Sequence, residues 1–271
     1  MSSRFSITQA VVDGFGFAKR EWRALARMSV LPLGAGIITQ IAIGLETSND
    51  LSPYAEFIYT LPALILSARF MFQVTRLRLL GEREENLPAD PAYLAARQQA
   101  LRASILLWLV VNAAATVIVG YFEWLSVVAG ASVMQGAASG APPVINESHF
   151  FYNIIGLLLM VCAIWGVRFA AGHLILAVEY PLAPYLRRVR GFGISLRLLG
   201  LSFLIAFPAS FAFLGVIQLL APDGKMPSPV PFAFFVVLNN IISFVCLSVL
   251  TAAACAALKE IMGRKDGGTS A

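Results

Sequence analysis

Residues 103–122 read ASILLWLVVNAAATVIVGYF, a run of 20 residues that contains no Asp, Glu, Lys or Arg. A helix of this length, rising about 1.5 Å per residue, crosses the roughly 30 Å of hydrocarbon in a lipid bilayer. The run therefore predicts a membrane-spanning α-helix. Similar runs elsewhere in the chain decide the rest of the fold.

Five further segments share this apolar character. We predict spans at Met28 to Leu45, Tyr54 to Val74, Ala103 to Phe122, Phe150 to Val178, Leu198 to Leu220 and Phe232 to Leu258. The composition agrees, because 58% of the 271 residues are hydrophobic and only 13% are charged, whereas soluble domains are nearer half apolar and a quarter charged. We expect an all-α polytopic membrane bundle of six transmembrane helices, and no nucleic-acid partner.

Basic residues lie almost entirely on one side of the predicted spans. Seventeen of the 20 Lys and Arg residues precede the first span or follow the second, fourth or sixth, and only Lys225 lies in an opposite loop. Because positive residues near spans stay in the cytoplasm, we expect both termini to be cytoplasmic. Arginine outnumbers lysine sixteen to four, which is typical of a GC-rich bacterial genome and indicates the bacterial inner membrane.

The chain divides into three predicted parts: a cytoplasmic interfacial amphipathic helix at residues 1–27, a six-helix transmembrane domain at 28–258 and a cytoplasmic tail at 259–271. The first part has an apolar stripe at helical spacing, with Arg and Lys on the opposite face. This stripe comprises Ile7, Val11, Phe15, Ala18, Trp22 and Leu25. It either lies in the membrane interface or packs on the ends of the other helices. Gly14 and Gly16 weaken the helix and predict a bend there.

Two arginines fall inside predicted spans and are the first candidates for a ligand site. Arg69 and Arg168 lie roughly 22 and 27 Å from the outer ends of their spans, in the inner leaflet. They either extend to the cytoplasmic interface or pair with neighbours, or together with His173 they hold the phosphate of an anionic phospholipid headgroup. Glu179 is six residues from His173 and so lies on another helix face, which argues against an acid–base pair.

Amides form a second polar set inside the spans. They include Gln40, Asn112, Asn239 and Asn240. Hydrogen bonds between helices are the usual role of such groups, and the alternative is a transport pathway. No carboxylate lies at mid-membrane depth, which weakens an ion-coupled transporter. The three cysteines lie in apolar runs without metal-ligand spacing, so we expect neither a metal nor a cofactor.

The opening of the chain carries a resemblance to a known group. Phe5-Ser6-Ile7, the amphipathic run to Glu21-Trp22-Arg23-Ala24-Leu25, and Leu31-Pro32-Leu33 are similar to the corresponding parts of six-span bacterial inner-membrane proteins. That group includes the YciC-like proteins and the membrane domain fused to some glycerophosphodiester phosphodiesterases. The resemblance implies membrane placement and supplies no catalytic residue.

Three classes of function follow from these patterns. The first is a non-enzymatic integral protein that binds lipid or a membrane-protein partner in envelope organisation or assembly. The second is a small-molecule or lipid transporter that uses the amide-rich interior. The third, a membrane enzyme, has least support because His149 and His173 lie near opposite membrane faces and no nucleophile or metal cluster accompanies either.

Overall fold

A computed structural model describes residues 5–45, 52–139, 147–220 and 229–263. These ranges contain eight α-helices and no strand. The helices are α1 (Ile7–Arg20), α2 (Trp22–Leu45), α3 (Pro53–Leu80), α4 (Pro91–Ser139), α5 (Glu147–Ala177), α6 (Leu182–Arg188), α7 (Phe192–Leu220) and α8 (Pro229–Gly263). Six of them, α2, α3, α4, α5, α7 and α8, are long and apolar enough to cross a membrane. The predicted all-α bundle with six spans is confirmed.

Two helices extend beyond the predicted spans as far as a capping group, α4 at its start and α3 at its end. Helix α4 starts at Pro91, where the Asp90 side chain accepts a hydrogen bond from the backbone N–H of Ala92 at 3.0 Å. Between Pro91 and Ala103 no Gly or Pro interrupts the chain, so the polar segment continues the helix. Helix α3 ends at Leu80 and is capped by Gly81, whose φ of 68° is the left-handed conformation that glycine adopts without strain.

The six long helices form a ring in the order α2, α3, α4, α5, α7, α8 and back to α2. Helix α3 also contacts α5 and α8. The ends of α3, α5 and α8 meet the starts of α2, α4 and α7 at one end of the ring, here called the basic end because Arg76, Arg97 and Arg188 lie there. Both ends of the described chain lie at the basic end, since Arg197 donates to the Phe5 carbonyl and Arg188 to the Met262 carbonyl.

Helix α1 packs mainly on α8 and also touches α7. Its buried face is formed by Ala10, Gly14 and Phe17, one position away from the predicted stripe, and Phe15 stays exposed. Helix α1 continues through both glycines from Ile7 to Arg20, and the chain turns at Glu21. Gly14 allows a close approach instead, since a Cβ there would lie 2.7 Å from the Val249 carbonyl oxygen.

The buried core is concentrated toward the basic end. It is built from residues 68–77 of α3, 171–177 of α5, 194–205 of α7 and 244–261 of α8, with Phe5 and the inner face of α1 covering it. Small side chains of α8, such as Ala252 and Ala253, are fully buried and let neighbouring helices approach. Arg76, Arg168 and His173 are therefore held by the best-packed part of the bundle.

Candidate functional site

Arg69 does not take part in a buried site. Its side chain is exposed on α3 and makes no hydrogen bond or ion pair within the described residues. It borders a small pocket of about 100 Å³ beside Arg27 and Gln73. Gln73 donates to Glu84 at 2.6 Å rather than to a ligand beside Arg69. The geometry of Arg69 is that of an arginine whose charged group stays at the surface of the bundle.

Arg168 is buried, with 6% of its surface exposed, and it pairs with backbone rather than with a carboxylate. Its Nη1 lies 3.4 Å from the carbonyl oxygens of both Val189 and Arg190. Val189 caps the end of α6, where the carbonyls of a helix terminus carry partial negative charge. The guanidinium also lies over the Trp165 ring, 3.5 Å from its centroid. Arg168 thus closes the end of α6 against α5.

Tyr185 of α6 strengthens this junction. It is fully buried and donates its hydroxyl hydrogen to the Arg168 carbonyl oxygen at 2.8 Å. Burial raises the pKa of the Tyr185 hydroxyl, more than the nearby Arg168 guanidinium lowers it. The hydroxyl therefore keeps the proton that the hydrogen bond needs.

His173 lies apart from both arginines, inside the bundle. Only 4% of its surface is exposed, and its Nδ1 is within hydrogen-bond distance of the Ala170 carbonyl oxygen. Its ring lies 5.1 Å from the Trp108 ring, centroid to centroid. The Nε2 of His173 and the Nε1 of Trp108 are both buried and have no hydrogen-bond partner within the described residues. Both side chains border a pocket of about 170 Å³ between α3, α4, α5, α7 and α8.

The structure does not bring Arg69, Arg168 and His173 into one site. Arg168 and His173 are five residues apart on α5, about 140° around the helix at 3.6 residues per turn, so they face different neighbours. Arg168 faces α6 and His173 faces α4, while Arg69 points away from both at the surface of α3. The structure therefore gives the three predicted headgroup residues different surroundings, and a headgroup site formed by all three stays a prediction.

The intramembrane amides behave differently from one another. Asn240 of α8 donates from Nδ2 to Gln40 of α2 at 2.9 Å and to its own helix at the Val236 carbonyl. Asn112 donates only to the Trp108 carbonyl one turn earlier on the same helix. Asn239 is half-buried and makes no hydrogen bond within the described part of the chain. Two of the four predicted amides, Asn240 and Gln40, thus link α8 to α2.

A buried ionic network at the basic end was missed by the sequence analysis, which treated its arginines only as indicators of orientation. Arg76 of α3 is 2% exposed and donates to Glu82 at 2.5 Å, to Glu179 at 2.9 Å and to the Tyr93 hydroxyl at 3.0 Å. Tyr93 in turn donates to Glu82 at 2.6 Å, as does Arg97 of α4. The network joins α3, α4 and the turn after α5.

Hydrogen bonds stabilise the charged form of the Glu82 carboxyl in this network. Burial alone would raise the pKa of the Glu82 carboxyl, but hydrogen bonds from Tyr93, Arg97 and Arg76 outweigh it and lower that pKa. The sequence does contain one local signal, because Glu82, Glu84 and Glu85 follow Arg76 closely. The partner on α5 carries no such signal, since Glu179 is 103 residues from Arg76.

An apolar groove runs along the outside of the bundle between α8 and the junction of α1 and α2. It has a volume of about 450 Å³ and is lined by Phe15, Lys19, Trp22, Leu25 and Phe244 among others. The groove meets a second, charged hollow of about 620 Å³ at Trp22, which borders both. We call these the apolar groove and the basic hollow.

The basic hollow holds more free positive than negative charge. Four arginines and three glutamates line it, namely Arg20, Arg23, Arg27, Arg83, Glu21, Glu84 and Glu85. Arg27 pairs with Glu85 at 2.5 Å and Arg83 with Glu21 at 2.9 Å, while Glu84 lies 3.6 Å from Arg97. Arg20 and Arg23, together with Lys19 of the groove, have no ion-pair partner within the described residues.

Comparison with protein-family models, with curated protein sequences and with solved structures finds no match to this chain. Within the described residues, no group of three or more His, Cys, Asp or Glu side chains is arranged to hold a metal ion. The six apolar helices and their ring define the class: a polytopic α-helical integral membrane protein.

Proposed function

We propose that the protein is a non-enzymatic integral membrane protein that binds anionic phospholipid at its basic end. In this proposal it contributes to envelope organisation or assembly, either through the bound lipid or through a membrane-protein partner recruited with it. The observation that carries the proposal is the junction at Trp22, where the apolar groove meets the basic hollow.

This junction matches the chemistry of a phospholipid. An acyl chain removed from water is stabilised by apolar side chains such as Phe15 and Phe244 along the groove. A phosphate next to that chain would then lie beside Arg20 and Arg23, whose guanidinium groups have no carboxylate partner in the described residues. Arginine binds phosphate through paired N–H donors, which favours an anionic headgroup over a neutral one.

The membrane and orientation are also proposals. Positive residues near spans stay in the cytoplasm, which supports a cytoplasmic basic end and places both termini there. The excess of arginine over lysine supports a bacterial inner membrane, and the resemblance to YciC-like proteins implies the same placement. The basic hollow would then face the anionic lipids of the inner leaflet.

Native mass spectrometry of the gently solubilised protein tests the proposal. The wild type, an Arg20→Gln/Arg23→Gln variant and an Arg187→Gln/Arg190→Gln variant are each equilibrated with equal amounts of phosphatidylglycerol and phosphatidylcholine. The second variant is a matched control, because Arg187 and Arg190 are exposed at the same end but line neither the groove nor the hollow.

We expect the wild type and the control to retain phosphatidylglycerol in preference to phosphatidylcholine. The Arg20/Arg23 variant should retain it about thirtyfold less, since each of the two basic residues near an anionic lipid surface contributes about 1 kcal/mol. Equal retention of phosphatidylglycerol by all three proteins would overturn the proposal, and so would equal retention of both lipids by the wild type.

A further inference from the structure

The pocket beside His173 is a second candidate binding site, and it is separate from the proposed lipid site. It shares no lining residue with the apolar groove or the basic hollow. Five helices border it, and nearly all of its lining is apolar, with Met71, Leu201 and Leu250 as examples. Two nitrogen atoms with unmet hydrogen-bonding capacity are set among these apolar groups.

The Ala170 carbonyl determines which ring nitrogen of His173 carries the hydrogen. A carbonyl oxygen only accepts hydrogen bonds, so the contact between Nδ1 and the Ala170 carbonyl requires a hydrogen on Nδ1. In the neutral imidazole this leaves Nε2 as an acceptor. An imidazolium buried here would be costly, since within the described residues no carboxylate lines the pocket to pair with it.

Trp108 supplies the complementary group. Its indole Nε1–H is a donor only, it is buried, and it has no acceptor within the described residues. Buried polar groups are hydrogen-bonded in the great majority of cases. The two rings, whose centroids are 5.1 Å apart, both border the same pocket. A hydroxyl group, which can donate one hydrogen bond and accept another, complements this acceptor and this donor.

The geometry points to a binding site for a small uncharged molecule that carries one hydroxyl on a compact apolar body. The hydroxyl would donate to His173 Nε2 and accept from Trp108 Nε1–H. The apolar body would fill the rest of the pocket, whose volume is about 170 Å³. An engineered apolar cavity of about 150 Å³ in another protein holds benzene, so a phenol-sized molecule fits this volume.

Phenol is the probe, and benzene is its matched analogue without the hydroxyl. The chain has only two histidines, so ¹⁵N-histidine labelling in a His149→Gln background leaves the ring nitrogens of His173 as the labelled side-chain signals. Phenol and benzene are titrated into this protein in detergent micelles. The titration is repeated with Trp108→Phe, which keeps an aromatic ring but removes the N–H. Trp124→Phe is the control on the same helix, outside the pocket.

We expect phenol to shift the Nε2 signal of His173 saturably and to bind about tenfold or more tightly than benzene, because a site that hydrogen-bonds a hydroxyl rejects the analogue without one. Trp108→Phe should weaken phenol binding by about tenfold, and Trp124→Phe should leave it unchanged.

Three results would overturn the inference: an Nε2 signal unmoved by phenol, equal affinity for phenol and benzene, or a hydrogen-bonded Nε2 signal without added ligand that phenol does not displace, which indicates permanent water. If Trp108→Phe does not fold, the comparison of phenol with benzene in the protein that retains Trp108 still decides. Loss of lipid binding at Arg20 and Arg23 would not affect any of these outcomes.

Discussion

Arg76 and Glu179 join the end of α5 to a different helix, α3. The Nη1 of Arg76 donates to Glu179 Oε1 and to the Ala177 carbonyl oxygen, each at 2.9 Å. Glu179 has a left-handed φ of 61°, a conformation that costs roughly 1–2 kcal/mol for a residue with a Cβ. A glycine at this position would be the usual way to end a helix. From this position the Glu179 carboxylate forms its ion pair with Arg76.

Removing the Arg76 charge should destabilise the protein strongly. In Arg76→Met the carboxylate of Glu82 loses Arg76 but keeps Arg97 and Tyr93, so we expect a cost of about 1.5–3 kcal/mol, the range for a hydrogen bond to a charged group. The free energy of unfolding is measured by denaturant titration in detergent micelles, followed by circular dichroism. Arg69→Met on the same helix is the control and should change it by less than about 0.5 kcal/mol, since Arg69 is exposed and unpaired within the described residues. Equal effects of the two substitutions would contradict a structural role for the network.

Two substitutions at Glu179 separate the ion pair from the backbone conformation. Glu179→Ala loses the pair and keeps the strained φ, whereas Glu179→Gly loses the pair and relieves the strain. We expect the Gly variant to be about 1 kcal/mol more stable than the Ala variant in the same unfolding titration. An Ala variant as stable as the Gly variant would show that Glu179 is not held in the left-handed conformation.

The sequence was sufficient to predict the six spans because each depends on a local property, the apolar length of one segment. The start of α4 could also be predicted, because Asp90-Pro91 supplies a capping carboxylate followed by a proline suited to the first helical position. The spacing of Ser6 and Gln9 predicts a capping box at the start of α1, which is formed only in part. The Ser6 hydroxyl accepts from Gln9 N–H, but the Gln9 side chain donates to Asp13.

The candidate site was harder to predict because it depends on which helices are neighbours. Depth along a helix was estimated well enough to place Arg69 and Arg168 near one end of the bundle, but depth does not determine direction around the helix axis. Arg168 and His173 are only five residues apart in the sequence, but Arg168 faces α6 and His173 faces α4. The network at Arg76 was missed for the same reason, because its partner Glu179 comes from a distant helix.

Glu82 should make the protein sensitive to acid. Because its pKa is lower in the folded protein than the ordinary value of 4.5, its charged form stabilises the fold at pH values above about 4.5. That contribution is lost as the pH falls from about 4.5 through the lower, folded-state pKa. We therefore expect wild type to be more stable than Glu82→Gln at pH 7, and the difference to shrink below pH 4.5.

The measurement is the free energy of unfolding of both proteins between pH 7 and pH 3. Glu56→Gln is the control, because Glu56 is exposed near the start of α3 and lies outside the network. A difference between wild type and Glu82→Gln that stays constant with pH would show that the Glu82 charge does not stabilise the fold.

Substitution of Gly14 and of Gly16 by alanine, one at a time, tests the packing of α1 on α8. A Cβ at Gly14 would lie 2.7 Å from the Val249 carbonyl oxygen and 2.9 Å from the Ala253 Cβ, and neither atom belongs to a flexible side chain. At Gly16 the nearest atom is the mobile end of Arg20, at 3.6 Å. Gly14→Ala should therefore push α1 away from α8 and destabilise the protein by about 1–3 kcal/mol. Gly16→Ala should stabilise it by up to about 1 kcal/mol, because alanine favours the helix.

Limited proteolysis within α1, together with the unfolding titration, distinguishes the two variants. If α1 is held by its contact with α8, Gly14→Ala should be cleaved faster than wild type and Gly16→Ala no faster. Since Lys19, Trp22 and Phe15 reach the apolar groove from the same segment, displacement of α1 should also reduce retention of phosphatidylglycerol in Gly14→Ala. Equal cleavage of both variants would show that α1 does not depend on the close approach at Gly14.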